Sequence, residues 1–441
     1  MSSASETPPT RAATRVLGVM SNYRWTICGL LFVATTILYI DRQILALLKE
    51  TLEKKFGWTN EDYGDIQAYF QGAYALAFPL FGWFIDRFGV KIGYAVSIAG
   101  WGVAACGHGL ISTLTGFKIG RLGVGLSESG NFPSAIKAAA QWFPKRERAL
   151  ATSIFNSGAN VGPVIAPLTI PLIAAAWGWR SPFILAGLVG FVWVAVWWFV
   201  YDVPEKHRRV SAAELAYIRS DADDVVNAPK IPWRSLMGYR QTWSFIVAKA
   251  LTDPIWWFFL FWLPDYFNKA RHLDIKHSQV HLATIYVICT VLSISGGWLT
   301  GWLQRMGWSV TRARKTGMLI FALCVTPIIS LSIVKNDWIA VLLIGLAVAA
   351  HQAWSATLFT TVSDMFPKRA VASVVGIGGM AGSLTGIYFP KFTGMLLDKV
   401  PGQAYGILFG VCACAYLVAF GLHHALAPRF DPVKLDKIEA A

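Results

Sequence analysis

Residues 24–46 run RWTICGLLFVATTILYIDRQILA. A helix of roughly 20 apolar residues crosses the hydrocarbon core of a bilayer, and this run has the length and composition to do so. Yet it holds Asp41 and Arg42 toward its far end. A second apolar stretch, GRLGVGLSESGNF at 120–132, encloses Arg121 and Glu128 in the same manner. Ions at membrane depth are costly and are kept mostly where they bind, relay protons or pair. The two stretches therefore imply a polytopic membrane protein that handles an anion.

The rest of the chain agrees with this reading. Of 441 residues, 55% are hydrophobic and only 15% charged, and the mean hydropathy is +0.48. A soluble chain of this length carries more surface charge. Twelve spans are expected, near 24–46, 62–85, 92–112, 115–139, 147–173, 180–201, 241–266, 278–301, 314–334, 337–361, 370–394 and 403–424. The stretch 202–240, with EKHRR, DADD and KIPWR, divides them into two sets of six. The expected units are a tail 1–23, a bundle 24–201, a linker 202–240, a bundle 241–424 and a tail 425–441. In the linker, Ser211 caps a short helix with Glu214 three residues on.

The formal net charge of +14 sits mostly in short loops, which excludes a nucleic-acid surface. Arg11, Arg15 and Arg24, then Arg87 and Lys91, then Lys145, Arg146 and Arg148 alternate with loops of mixed sign. The positive-inside rule then places both termini in the cytoplasm. Six scattered cysteines without CxxC spacing read as small buried hydrophobes, and no metal site is expected. The chain has no GxxxxGK[ST] phosphate loop and no nucleophile–base constellation, so neither an ATP-driven pump nor an enzyme is expected. No cofactor is expected beyond protons as coupling ion.

Several residues have the chemistry to form a site. Arg121 and Glu128 lie seven apart and share a face of a straight helix. Arg grips a carboxylate bidentately, and a carboxyl group in a low dielectric can carry a proton. Arg42 is a second anion ligand and Asp41 a second proton carrier, although placement at the outer end, solvated or snorkelling, is a serious competing reading. Tyr39, Gln71 and Tyr74 offer hydroxyl and amide groups to a polyol. Asn160 is a further ligand, near the packing pair Gly158 and Gly162. In the second half, Gln352, Trp354 and Ser355 suit hydroxyl bonding or stacking. His351 is either a proton site or a neutral donor to a backbone carbonyl. Ser383 sits in the small-residue run GIGGMAGSLTG at 376–386. Asp253, before Pro254, reads as support for a bent span.

GWFIDRFGVK at 82–91 has a degenerate counterpart, GWLQRMGWS at 301–309, with Gln304 where an acid is expected. The first resembles the loop signature of the major facilitator superfamily, and the resemblance covers nearly the whole chain. YIDRQ at 39–43, QGAYALAFPLFGWFIDRFG at 71–89, GRLGVGLSESGNFP at 120–133 and WFPKRERALATSIFNSGANVG at 142–162 are similar to its anion:cation symporter family. DPIW at 253–256 and AHQAWSATLFTTVSDMFP at 350–367 are similar to the hexuronate-transporting branch. The resemblance implies an all-α fold of two six-helix bundles, working as a monomer in a bacterial inner membrane. It implies Arg42 and Arg121 on the substrate carboxylate, Tyr74 on the substrate, and Asp41 and Glu128 in proton coupling. Asp86 and Arg87 would belong to a cytoplasmic gate. The implied activity is import of a sugar-acid anion, glucuronate or galacturonate, with protons. Aldonate, aldarate or aromatic carboxylate symport, or anion exchange, are the rival activities.

Overall fold

The computed structural model describes residues 21–220 and 233–433. The expected N-terminal tail as far as residue 20, the linker stretch 221–232 and residues 434–441 lie outside the described residues. Every regular element among the described residues is helical: α1 Tyr23–Leu47, α2 Lys49–Phe56, α3 Asn60–Phe88, α4 Val90–Leu110, α5 Leu114–Glu128, α6 Asn131–Trp142, α7 Lys145–Trp177 and α8 Ser181–Val200. After α9 Ala212–Ile218 and α10 Trp233–Leu236 come α11 Arg240–Lys269, α12 Ile275–Arg305, α13 Val310–Val325, α14 Asp337–Met365, α15 Lys368–Lys399 and α16 Ala404–Leu426. A 3₁₀ segment, Thr326–Ser332, prolongs α13.

Among the described residues, nine helices are long and apolar enough to cross a membrane by composition alone. The other three crossings are α3, the α5–α6 pair and α15. Of these, α5 and α6, at 15 and 12 residues, are each too short to cross alone. The fourth crossing is not the continuous helix expected over 115–139: α5 ends at Glu128 and α6 begins at Asn131. Ser97 donates its hydroxyl to the carbonyl oxygen of Ser127 at 2.7 Å beside this break.

In the first bundle α1 lies on α7, α3 on α5 and α4 on α8; in the second α12 lies on α14, and α11 on α15 and α16. The α1–α7 crossing uses the expected glycine pair. A Cβ on Gly158 would stand 2.7 Å from the carbonyl oxygen of Phe32, and one on Gly162 would stand 2.7 Å from Cβ of Tyr39. Only glycine lets the two backbones approach so closely.

The bundles meet along α3–α15 and α7–α12. Their fastening is densest at the face holding α2 and the start of α3. Lys49, 1% exposed, donates to Asp265 Oδ1 at 2.5 Å across the bundles. It also donates to Glu53 Oε1 at 2.5 Å and Asn60 Oδ1 at 2.8 Å. Tyr405 donates its hydroxyl to Asp265, and Asn60 donates to Asp398 at 2.7 Å. Burial pulls the Lys49 ammonium below the usual lysine range, while Asp265 and Glu53 pull it back up. Asp65 accepts from Lys118 of its own bundle at 3.0 Å and from Lys391 of the other at 3.1 Å. Gly64 abuts the carbonyl oxygen of Pro390. Along the same face of α3 the packing then stops: Leu76, Leu80 and Trp83 are exposed. The cleft between the bundles is thus shut at the Lys49 face and parts toward the Tyr23 face.

At the Tyr23 face the linker helix is clamped to α1. Ser211 accepts from the Glu214 backbone N–H at 3.1 Å, as its capping position predicts. The Glu214 carboxylate, fully buried, accepts from the Arg24 backbone N–H and guanidinium, both at 3.1 Å.

Candidate functional site

Midway along the cleft, α1 contributes Tyr39, Asp41 and Arg42, α3 contributes Phe70, Gln71 and Tyr74, α5 contributes Arg121 and Glu128, and α11 contributes Trp257. Arg42 donates Nε to Glu128 Oε2 at 2.6 Å. Around its guanidinium stand the rings of Tyr39 at 4.9 Å, Phe70 at 5.3 Å, Tyr74 at 5.1 Å and Trp257 at 5.2 Å. Ring faces carry negative electrostatic potential, so they hold a cation where water is scarce. Three of the rings come from the first bundle and one from the second.

Arg121 lies alongside, its Nη2 donating to the Arg42 carbonyl oxygen at 3.4 Å and its guanidinium 5.4 Å from the Phe70 ring. Seven-residue spacing on α5 predicts Arg121 as the neighbour of Glu128. The pair that forms joins Glu128 to Arg42 of α1 instead. Asp41 is 3% exposed, so the reading of a solvated outer-end residue does not hold. It stands in the electrostatic field of Glu128, Arg121 and Arg42.

The cluster leaves polar atoms buried without a protein partner. These are Arg42 Nη2, Arg121 Nε, Glu128 Oε1 and both amide atoms of Gln71. An unmade bond at such depth costs about 1–3 kcal/mol per group, more for a charged one. A polar, anionic guest that entered the cleft would meet donors already desolvated and aimed.

The profile of the Major Facilitator Superfamily matches residues 31–390. The chain belongs to this superfamily. It is a transporter, not an enzyme. It is 28% identical over 394 residues to the hexuronate transporter of Escherichia coli K12, covering 88% of this chain and 90% of that one. It is 29% identical over 416 residues to the D-galactonate transporter of Escherichia coli O6:H1, covering 92% and 94%. The inward-open xylose transporter of Escherichia coli superposes with a TM-score of 0.73 at 15% identity, over 95% of this chain and 99% of that one, which supports the fold.

Other residues singled out in the sequence of this transporter are placed variously. Gln352 donates to Asn160 Oδ1 at 3.3 Å, so these two join the bundles across the cleft. Ser355, one turn after Gln352, and Ser383 are half-buried. His351 and Trp354 occupy a different face of α14 and turn into the second bundle. The His351 ring bonds the Tyr416 hydroxyl through Nδ1 at 2.5 Å, not a backbone carbonyl, and stacks on Trp256 at 5.4 Å. Trp354, fully buried, meets Tyr416 edge-on at 5.6 Å. The helical period explains the split: 352 and 355 face the cleft, and 351 and 354 face α16.

Asp86 accepts from Lys137 at 2.6 Å, which ties α3 to α6 within one bundle. Arg87 is exposed at the end of α3, before the turn that Gly89 makes at φ 84°. Phe70, Trp257, Lys49 and Lys249 are not singled out by the sequence. Two of them carry a local signal: Lys249 precedes Asp253 by one turn and Trp257 follows it by one turn, on the same face.

Proposed function

We propose that this transporter imports a sugar-acid anion together with protons, and that the anion is a hexuronate such as glucuronate or galacturonate. The observation that carries the reading is the buried Arg42–Glu128 pair, with Asp41 and Arg121 beside it and unpartnered donors around it. The named substrates of the hexuronate and D-galactonate relatives support the substrate class.

In this reading the carboxylate meets Arg42 and Arg121. Tyr39, Gln71, Tyr74, Asn160, Gln352, Ser355 and Ser383 bind hydroxyls. A proton on Glu128 frees Arg42 from its carboxylate partner, so that the guest's carboxylate takes the vacated place without adding net charge, and Asp41 serves as a second proton carrier. The protein lies in a bacterial inner membrane with both termini cytoplasmic, as loop charge implies. The Lys49 face is then external, and the parted Tyr23 face releases cargo inward. Import of a monoanion with more than one proton is driven by an inside-negative potential, at roughly 2.3 kcal/mol per net charge per 100 mV.

The test is uptake into proteoliposomes of radiolabelled sugar acids, with and without an imposed pH gradient. Gradient-dependent accumulation of glucuronate or galacturonate is expected. Equal uptake without the gradient refutes proton symport. Preference for a benzoate-like acid refutes the sugar-acid assignment.

A further inference from the structure

Helix α11 carries Lys249, Asp253 and Trp257 at intervals of four, a single stripe with about 6 Å of rise between neighbours. Trp257 marks where the stripe points, since its ring lies 5.2 Å from the Arg42 guanidinium. Asp253 therefore stands one turn from the cation cage, and Lys249 one turn further toward the parted end of the cleft. The two form an ion pair: Lys249 Nζ lies 2.8 Å from Asp253 Oδ2.

This pair is placed at membrane depth, where an apolar pair of similar volume would cost less. Its surroundings are shaped to receive it. Lys249, 7% exposed, lies over the Phe359 ring at 4.6 Å. Asp253 keeps 18% of its side chain accessible, against 1% for Arg42 and 0% for Glu128. Across from it stands Gly382 of α15, where a Cβ would come within 2.8 Å of Asp253 Cγ. Ser383 is the next residue, and Tyr39 lies within the electrostatic reach of Asp253. A charged acceptor, partly accessible, and a charged donor beside it match the two halves of a hydroxyl: Asp accepts from O–H, and Lys donates to the oxygen.

We propose that Lys249 and Asp253 form the hydroxyl-recognising end of the substrate site, holding the polyol part of a sugar acid whose carboxylate sits at Arg42 and Arg121. The proposal rests on the sugar-acid reading and adds a specificity element from the second bundle. A six-carbon acid reaches from the cage across one helical turn to Asp253. Binding then draws on both bundles, as alternating access requires. A site built to bond a hydroxyl discriminates against the analogue lacking it, because its own buried groups go unpaired.

The experiment measures inhibition constants in proteoliposome counterflow for glucuronate, galacturonate and their mono-deoxy analogues. Wild type, Asp253→Asn and Lys249→Gln are compared, with Asp253→Glu as the conservative variant and thermal melting in detergent as the folding control. Wild type is expected to prefer the parent over at least one deoxy analogue. In Asp253→Asn the parent's constant rises about tenfold, as loss of a charged hydrogen bond implies. The constant for that analogue does not move, so the preference collapses; Asp253→Glu restores part of it. A preference unchanged from wild type, including equal weakening of parent and analogue, overturns the proposal and leaves the pair a structural one. Failure of wild type to take up either sugar acid overturns the sugar-acid reading itself, and the proposal with it.

Discussion

The Arg42 guanidinium and the Glu128 carboxylate form an ion pair at 2.6 Å with side chains 1% and 0% exposed. Both partners are shut away from bulk solvent, so each depends on the other. Removing one partner of a buried pair leaves an uncompensated charge and costs about 3–5 kcal/mol. Arg42→Ala is therefore expected to lower the melting temperature in detergent and to abolish uptake. Arg42→Lys should restore folding more than transport, since an ammonium cannot bond a carboxylate bidentately or stack flat among four rings. Equal recovery of both by lysine would contradict the assignment of a geometric role to the guanidinium.

Glu128→Gln separates the proton from the anion. The amide keeps the shape and one hydrogen-bond acceptor for Arg42, but it takes up no proton. Counterflow of substrate should persist, because exchange needs no net proton movement, while accumulation driven by a pH gradient should vanish. The two assays run on the same vesicles. Loss of neither activity would remove Glu128 from coupling.

The rings around Arg42 invite a graded test. Tyr74→Phe keeps the ring face and loses the hydroxyl, whereas Tyr74→Leu loses both. Each desolvated cation–π contact is worth about 1–2 kcal/mol. The leucine variant should weaken substrate affinity roughly tenfold and also lower the melting temperature. The phenylalanine variant should change affinity alone, and only if the hydroxyl touches substrate.

The spans and the buried ions were legible in the sequence because each is a local fact: an apolar run, or a charge inside one. Pairing was not. Arg121 and Glu128 share a face of α5, yet the bond to Glu128 comes from Arg42 of α1, 86 positions away in the chain. Residue type also does not reveal which side of a helix is occupied. Trp354 and Gln352 are two apart and equally suited to a sugar, yet one packs on Tyr416 and the other meets Asn160. Lys49 follows the first span directly and has the look of a solvated loop charge. Its burial depends on Asp265, a residue 216 positions away that no local pattern connects to it.

The α1–α7 crossing is expected to tolerate no side chain. In Gly162→Val the new Cβ would stand 2.7 Å from Tyr39 Cβ and 2.8 Å from the Thr36 carbonyl oxygen. Overpacking of this kind costs about 1–3 kcal/mol. The displaced residue is Tyr39, a wall of the Arg42 cage, so reduced thermal stability and weakened substrate affinity should appear together. Lowered stability with unchanged affinity would show that the cage does not depend on this crossing.

The Lys49–Asp265 bond sets the expectation for gating. It joins the first bundle to the second at the shut face, and Glu50 accepts there from Asn268 of α11 at 2.7 Å. If this face must part during the cycle, tying it shut should stop transport without stopping binding from the other side. A Glu50→Cys, Asn268→Cys double variant, with the exposed Cys414 replaced by serine, supplies the tie through a short thiol cross-linker. Cross-linked protein should retain substrate-induced thermal stabilisation in detergent and lose uptake in vesicles. Asp265→Asn acts in the opposite direction, since it leaves Lys49 without its anionic partner across the cleft. Lys49 keeps Glu53 within its own bundle, so the loss falls on the bond across the cleft, and thiol reagents should label a cysteine at position 60 from this face roughly tenfold faster. Uptake that survives the cross-link would mean that the two bundles do not separate here, and that the bond serves only to hold the fold.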